Sequence, residues 1–169
     1  GEAGGAGRRA GDGGEAAGGR RARVVLPSGA GKTVAGLRAV EALASRREAR
    51  TVLVLLPTKD LVVQTWREWT RWAAPELTWL PLAVCSKLGV DGRARTTAPA
   101  EIAEFLEGGA GVRALFCTYH SWHRVAKAQR APLDLLICDE AHRMAGRASK
   151  HFSQPLFDDA LAARRRLFL

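Results

Sequence analysis

The feature that most constrains this chain is the run Leu26-Pro27-Ser28-Gly29-Ala30-Gly31-Lys32-Thr33, set between a short apolar stretch and a helical pattern. Two glycines one residue apart let successive backbone N–H groups turn inward together, and a helix opening at Lys32 adds the positive end of its dipole. Strand, glycine turn and helix in that order make a cradle for phosphate groups. In it Ser28, Gly29, Ala30 and Gly31 supply backbone, Lys32 a mobile charge for the β and γ phosphates, and Thr33 a hydroxyl for magnesium. The general pattern has a glycine five residues before Gly31, where this chain has Leu26. Taken alone, the run is also compatible with a plain glycine-rich turn joining a strand to a helix.

Short Leu-, Val- and Ile-rich runs alternate with helical stretches from Arg23 onward, the signature of βα units stacked around a parallel sheet. The pattern predicts strands over 23–26, 51–56, 79–84, 114–118, 133–138 and 166–169, and helices over 32–47, 60–72, 100–107 and 121–129. Pro99 stands at the favoured first-turn position of the third helix, and 87–97 reads as a surface loop. Near-continuous apolar character implies strands covered on both faces. The first twenty residues hold nine of the eighteen glycines and bury too little to offset ordering entropy, so 1–22 is expected to be a disordered leader and 23–169 the folded domain.

The run 133–138 delivers Asp139-Glu140-Ala141-His142 at its carboxyl end, where open α/β sheets place their ligands. Asp139 suits the magnesium shell opposite Thr33, and Glu140 suits polarising the water that attacks a γ-phosphate in line. An isolated Asp-Glu pair is more often a solvated strand end, but a phosphate loop and an acidic box on one sheet form an ATPase constellation. The expected cofactors are ATP and Mg2+, with Lys32, Asp139 and Glu140 as the catalytic set.

Composition sets the outer bounds. A chain of 169 residues, 47% hydrophobic and 25% charged, fits one globular domain. No apolar run approaches the roughly 18–20 residues of a membrane span, and the start lacks the apolar block of a signal peptide, so a cytoplasmic location is expected. Cys85, Cys117 and Cys138 each close an apolar run, without metal or disulfide spacing, and are expected as buried small hydrophobes. The net charge of +9 fits either a polyanion partner or a solvated basic surface.

With these motifs in place the chain resembles the superfamily 2 helicases, specifically bacterial DEAD/DEAH-box proteins related to restriction-type and helicase-associated-domain enzymes. The likeness covers 23–169: residues 26–33 match motif I, 56–66 motif Ia, 117–121 a segment like motif Ib, and 138–143 motif II. In that family Leu26 in place of the leading glycine is unremarkable. The resemblance implies a RecA-like P-loop NTPase fold, a mostly parallel sheet flanked by helices and incomplete at its C-terminal end. It implies that Pro57, Thr58 and Lys59 meet a nucleic-acid backbone, with Gln64, Thr118 and Tyr119 nearby, and that His142 links the hydrolysis site to those elements. Such contacts position a strand without reading its sequence, and the partner is DNA, or alternatively RNA. The family also implies a second RecA-like domain, expected to be missing here, and an upstream adenine-reading glutamine, whereas this chain has no Gln before Gln64.

Three further features have bland readings. Trp66, Trp69 and Trp72 recur every third residue and are read as helix packing in preference to base stacking. Cys117, His120 and His123 lack a fourth metal ligand. The arginines at 164–166 are read as a solvated edge.

Overall fold

A computed structural model of the chain describes residues 20–23, 31–86, 94–140 and 160–169. In chain order the elements are β1 (Arg20–Arg23), α1 (Lys32–Ser45), β2 (Thr51–Leu56), α2 (Lys59–Trp72), β3 (Trp79–Val84), β4 (Arg95–Thr96), α3 (Pro99–Glu107), β5 (Val112–Thr118), α4 (Trp122–Ala128), β6 (Leu135–Cys138) and β7 (Arg165–Phe168). The strands form one sheet in the order β1-β7-β6-β2-β5-β3-β4. Every pairing in it is parallel, as the alternation of strand and helix patterns requires.

Strand side chains alternate between faces, and β2 shows the consequence. Val52, Val54 and Leu56 pack under α1 and α2 with Leu37, Val40, Val62, Trp66 and Trp69. Leu53 and Leu55 face α3 and α4 with Ile102, Ala103, Trp122 and Val125. Each fully buried aliphatic side chain contributes roughly 1.5–3 kcal/mol, so this double-sided cover makes β2, β5 and β6 the rigid centre of the fold. All three cysteines are buried free thiols in these layers. Burial pushes the Cys138 thiol up to about 12, despite the opposing charge of Arg166.

Several sequence expectations shift. The first described strand is Arg20–Arg23, a polar edge strand beside β7, and it includes residues read as leader; 24–26 lie outside the described residues. Arg95 and Thr96 form a two-residue edge strand inside the expected loop, held in part by the Ala83 N–H to the Ala94 carbonyl at 3.0 Å. The helix expected to reach 47 ends at Ser45, because Arg47 turns left-handed at φ 59. There the Arg47 N–H donates to the Ala44 carbonyl (2.9 Å) and the Glu48 N–H to the Leu43 carbonyl (2.8 Å), a Schellman closure.

The Trp stripe packs only in part. Trp66 and Trp69 are buried against Phe116, while Trp72 is 49% exposed. Three-residue steps drift about 60° around a helix, so the third member leaves the buried face. The reading of 164–166 as a solvated edge is corrected at Arg166, which is 1% exposed and donates to the Leu161 carbonyl. Arg165 and Arg166 point to opposite faces of a strand that is covered on both sides, which buries Arg166, while Arg165 and Arg164, the latter just ahead of the strand, pair with Glu48 and Asp134.

The entering ends of the strands are fastened by specific contacts. The Asp134 carboxylate accepts the backbone N–H groups of Arg50 (2.7 Å) and Thr51 (3.0 Å), locking β6 to β2. Gly111 turns into β5 at φ 86, and a Cβ there would lie 2.8 Å from the Thr78 carbonyl oxygen.

Candidate active site

Because the sheet is parallel, the carboxyl ends of β2, β5, β6 and β7 come out along one edge. The ladder continues one residue beyond each strand. The Tyr119 N–H donates to the Leu56 carbonyl, the Asp139 N–H to the Leu55 carbonyl and the Leu169 N–H to the Cys138 carbonyl, each at 3.0 Å. This sets Tyr119 level with Pro57, and Asp139 and Leu169 level with Leu56.

Helix α1 starts at this edge. Its N-cap is Gly31 in the left-handed region at φ 81, a conformation glycine adopts without a Cβ penalty. Among the described residues no side chain caps the helix, and no acidic residue sits in its first turn, so its positive end suits an anion. Lys32 and Thr33 are the first two helical residues. Lys32 Nζ lies 3.5 Å from Glu140 Oε1, with the two side chains only 17% and 20% exposed. Thr33 and Asp139 line one small cavity of about 10 Å³ with Gly36, Thr65 and Trp69. Glu140 itself is left-handed at φ 53, an uncommon conformation for a residue with a Cβ and one that collects at functional sites.

Two buried aromatic side chains hold these groups. The Trp69 indole N–H, on α2, donates to the Thr33 carbonyl at 3.0 Å. The Tyr119 hydroxyl, at the end of β5, donates to the Asp139 carbonyl at 2.9 Å. Burial raises the Tyr119 phenol far above its ordinary range, with Cys138, Asp139 and Glu140 adding to the shift, so it stays a proton donor. Sequence reading missed both contacts. The tryptophan spacing flagged a buried face, but a backbone carbonyl as partner leaves no mark in a sequence.

Of the expected site residues, the fold brings Gly31, Lys32, Thr33, Asp139 and Glu140 together. Ser28, Gly29, Ala30 and His142 lie outside the described residues. Pro57 is half-buried, while Thr58 and Lys59 are exposed at the start of α2. The Thr58 hydroxyl caps that helix by accepting the Leu61 N–H at 3.2 Å. Gln64 is exposed and donates to Glu68 at 3.0 Å. Thr118 and Tyr119, at the carboxyl end of β5, are both buried. They are 5% and 0% exposed, consecutive residues on opposite faces of a sheet that is covered on both.

A larger cleft of about 480 Å³ lies at the opposite edge, among Ala44, Arg47, Arg50, Leu77, Thr78 and Val112, away from all of these groups.

The donor set suits a magnesium nucleotide, since an ammonium and a helix start face two carboxylates and a hydroxyl. An all-parallel sheet carrying this pairing at its carboxyl edge defines a RecA-like P-loop ATP-binding domain. Within that class, the family model for the DEAD/DEAH box helicase matches residues 14–164, and the chain belongs to that family. It is a helicase-type ATP-binding domain.

Among solved structures, a nuclease-deletion mutant of the Type ISP restriction-modification enzyme LlaGI, in complex with a DNA substrate mimic, is 26% identical with a TM-score of 0.73. The ATP-dependent Type ISP restriction-modification enzyme LlaBIII, bound to DNA, is 29% identical with a TM-score of 0.74. The match covers 88% of this chain in both cases, and 15% and 11% of those chains. The Sulfolobus solfataricus SWI2/SNF2 ATPase core, in complex with dsDNA, shares the fold at 17% identity and a TM-score of 0.57, covering 87% of this chain and 26% of that one. No curated protein matches the chain. Among the described residues, no helix is long and apolar enough to cross a membrane.

Proposed function

We propose that this domain binds and hydrolyses MgATP in response to nucleic acid, as the ATP-binding part of a cytoplasmic DEAH-type motor that translocates along or unwinds DNA. RNA is the alternative track. The observation that carries this reading is the meeting of Lys32 with Glu140 at 3.5 Å, beside a gap shared by Thr33 and Asp139. Lys32 and the start of α1, with the loop at 28–31, would hold the phosphates. Thr33 and Asp139 would hold magnesium, which when bound offsets phosphate charge. Glu140 would take the proton of the attacking water, and His142 would connect this centre to the nucleic-acid face. That face is assigned to Pro57, Thr58, Lys59 and Gln64, next to the site along the same edge. The DNA-bound state of the similar restriction enzymes supports DNA as the partner.

The test is ATP hydrolysis with magnesium, with and without single-stranded DNA or RNA, beside Glu140→Gln. Stimulation by nucleic acid that the variant abolishes supports the proposal, and nucleic-acid-independent turnover refutes it. A second reading, a nucleotide- and nucleic-acid-binding module without turnover of its own, draws on the 15% and 11% of the restriction enzymes' length that this chain spans. In those enzymes' family the second RecA-like domain completes the site, and binding without hydrolysis would select this reading.

A further inference from the structure

The geometry points to Tyr119 as a positioning residue for Glu140, acting through the peptide bond between Asp139 and Glu140. This inference deepens the functional proposal and rests on its assignment of Glu140. The Tyr119 ring is wholly buried, and its hydroxyl donates to the Asp139 carbonyl at 2.9 Å. That carbonyl belongs to the peptide plane from which the φ angle of Glu140 is measured. Glu140 sits at φ 53, where a residue with a Cβ is disfavoured unless its surroundings impose it. From the other side, the Asp139 N–H is fixed to the Leu55 carbonyl at 3.0 Å.

The two bonds therefore hold Asp139 at both ends, one from β2 and one from β5. Tyr119 is itself tied by its N–H to the Leu56 carbonyl, immediately before Pro57 and Thr58. A displacement of the Pro57–Thr58 turn thus has a short route to the orientation of the Glu140 carboxylate, through Leu56, Tyr119 and the Asp139 carbonyl. The present position of that carboxylate, 3.5 Å from Lys32, is the one this peptide orientation presents.

Tyr119 is the one tyrosine in the chain, so a selectively labelled ring reports on it without a variant. In the wild-type chain, NMR should show a hydroxyl proton protected from exchange, and a rapidly exchanging one overturns the assignment. In Tyr119→Phe, which keeps the ring, the Glu140 Cα and Cβ shifts should leave their left-handed values. Unchanged Glu140 shifts overturn the inference whether or not the chain hydrolyses ATP. For turnover, Tyr119→Phe should lower kcat about tenfold or more and leave the Kd for MgATP within about twofold, since one hydrogen bond's worth of orientation is lost after binding. Equal losses in both, or no loss in kcat, refute it. Failure of wild type to bind MgATP would instead count against the functional proposal, leaving the two NMR readouts to decide the role of Tyr119.

Discussion

Replacing Glu140 with glutamine should tighten nucleotide binding even as it removes turnover. Lys32 Nζ stands 3.5 Å from Glu140 Oε1, with 17% and 20% of the two side chains exposed. Coulomb's law at that distance, with an effective dielectric constant of about 20, gives an attraction of about 5 kcal/mol before desolvation. Drawing both ions out of water offsets most of it, and about 1 kcal/mol is a fair net value for a pair on the margin of solvent. A phosphate that recruits Lys32 must compete with this pair and also approach the Glu140 charge. Glu140→Gln removes both obstacles, so the Kd for MgATP should fall about fivefold, the ratio equivalent to about 1 kcal/mol. Titration with a fluorescent ATP analogue at fixed ionic strength measures it, with hydrolysis blocked in the variant and a non-hydrolysable analogue used for wild type. Equal or weaker binding by the variant would show that the Lys32–Glu140 contact does not oppose the nucleotide, and the reasoning fails.

Three further outcomes test the frame around the site. Arg47→Gly should stabilise the domain by about 0.5–1 kcal/mol, because Arg47 holds φ 59 in a Schellman closure that glycine adopts freely; a rise in Tm of a few degrees checks this. Gly111→Ala should destabilise by about 1–3 kcal/mol or more, since φ 86 is left-handed and the new Cβ would lie 2.8 Å from the Thr78 carbonyl oxygen; urea melts with an unchanged midpoint would contradict it. Trp69→Phe keeps an aromatic ring against Phe116 but loses the donor to the Thr33 carbonyl, so stability should fall by about 1–2 kcal/mol and MgATP binding should weaken. Unaltered nucleotide affinity in that variant would separate α2 from the site.

What the sequence disclosed follows from where information is dense. Strands β2 and β3 were readable to the residue, because buried parallel strands are continuous apolar runs. Strands β1 and β4 were not, since Arg20–Arg23 and Arg95–Thr96 are polar edges defined by pairing alone. That Lys32, Thr33, Asp139 and Glu140 meet was legible, because a glycine loop before a helix and an acidic pair after a strand share one edge of a parallel sheet. The inward aim of Tyr119 was not legible, for a physical reason. A motif string records that a tyrosine follows a strand, while its inward aim and its carbonyl partner depend on the register between β5 and β2. Arg166 was misread likewise, as a run of three arginines does not show which of them falls on a covered face of the strand.

The uniform direction of the strands also divides the molecule into a working end and an attachment end. Segments 46–50, 74–78 and 108–111 all enter strands at the edge holding the 480 Å³ cleft. The six residues of β2 put about 20 Å between that edge and the carboxyl ends. With Gly111 retained, an insertion there leaves Lys32, Asp139 and Glu140 untouched. It is the end at which a reporter, a tether or a grafted module can be added to this domain without entering its chemistry.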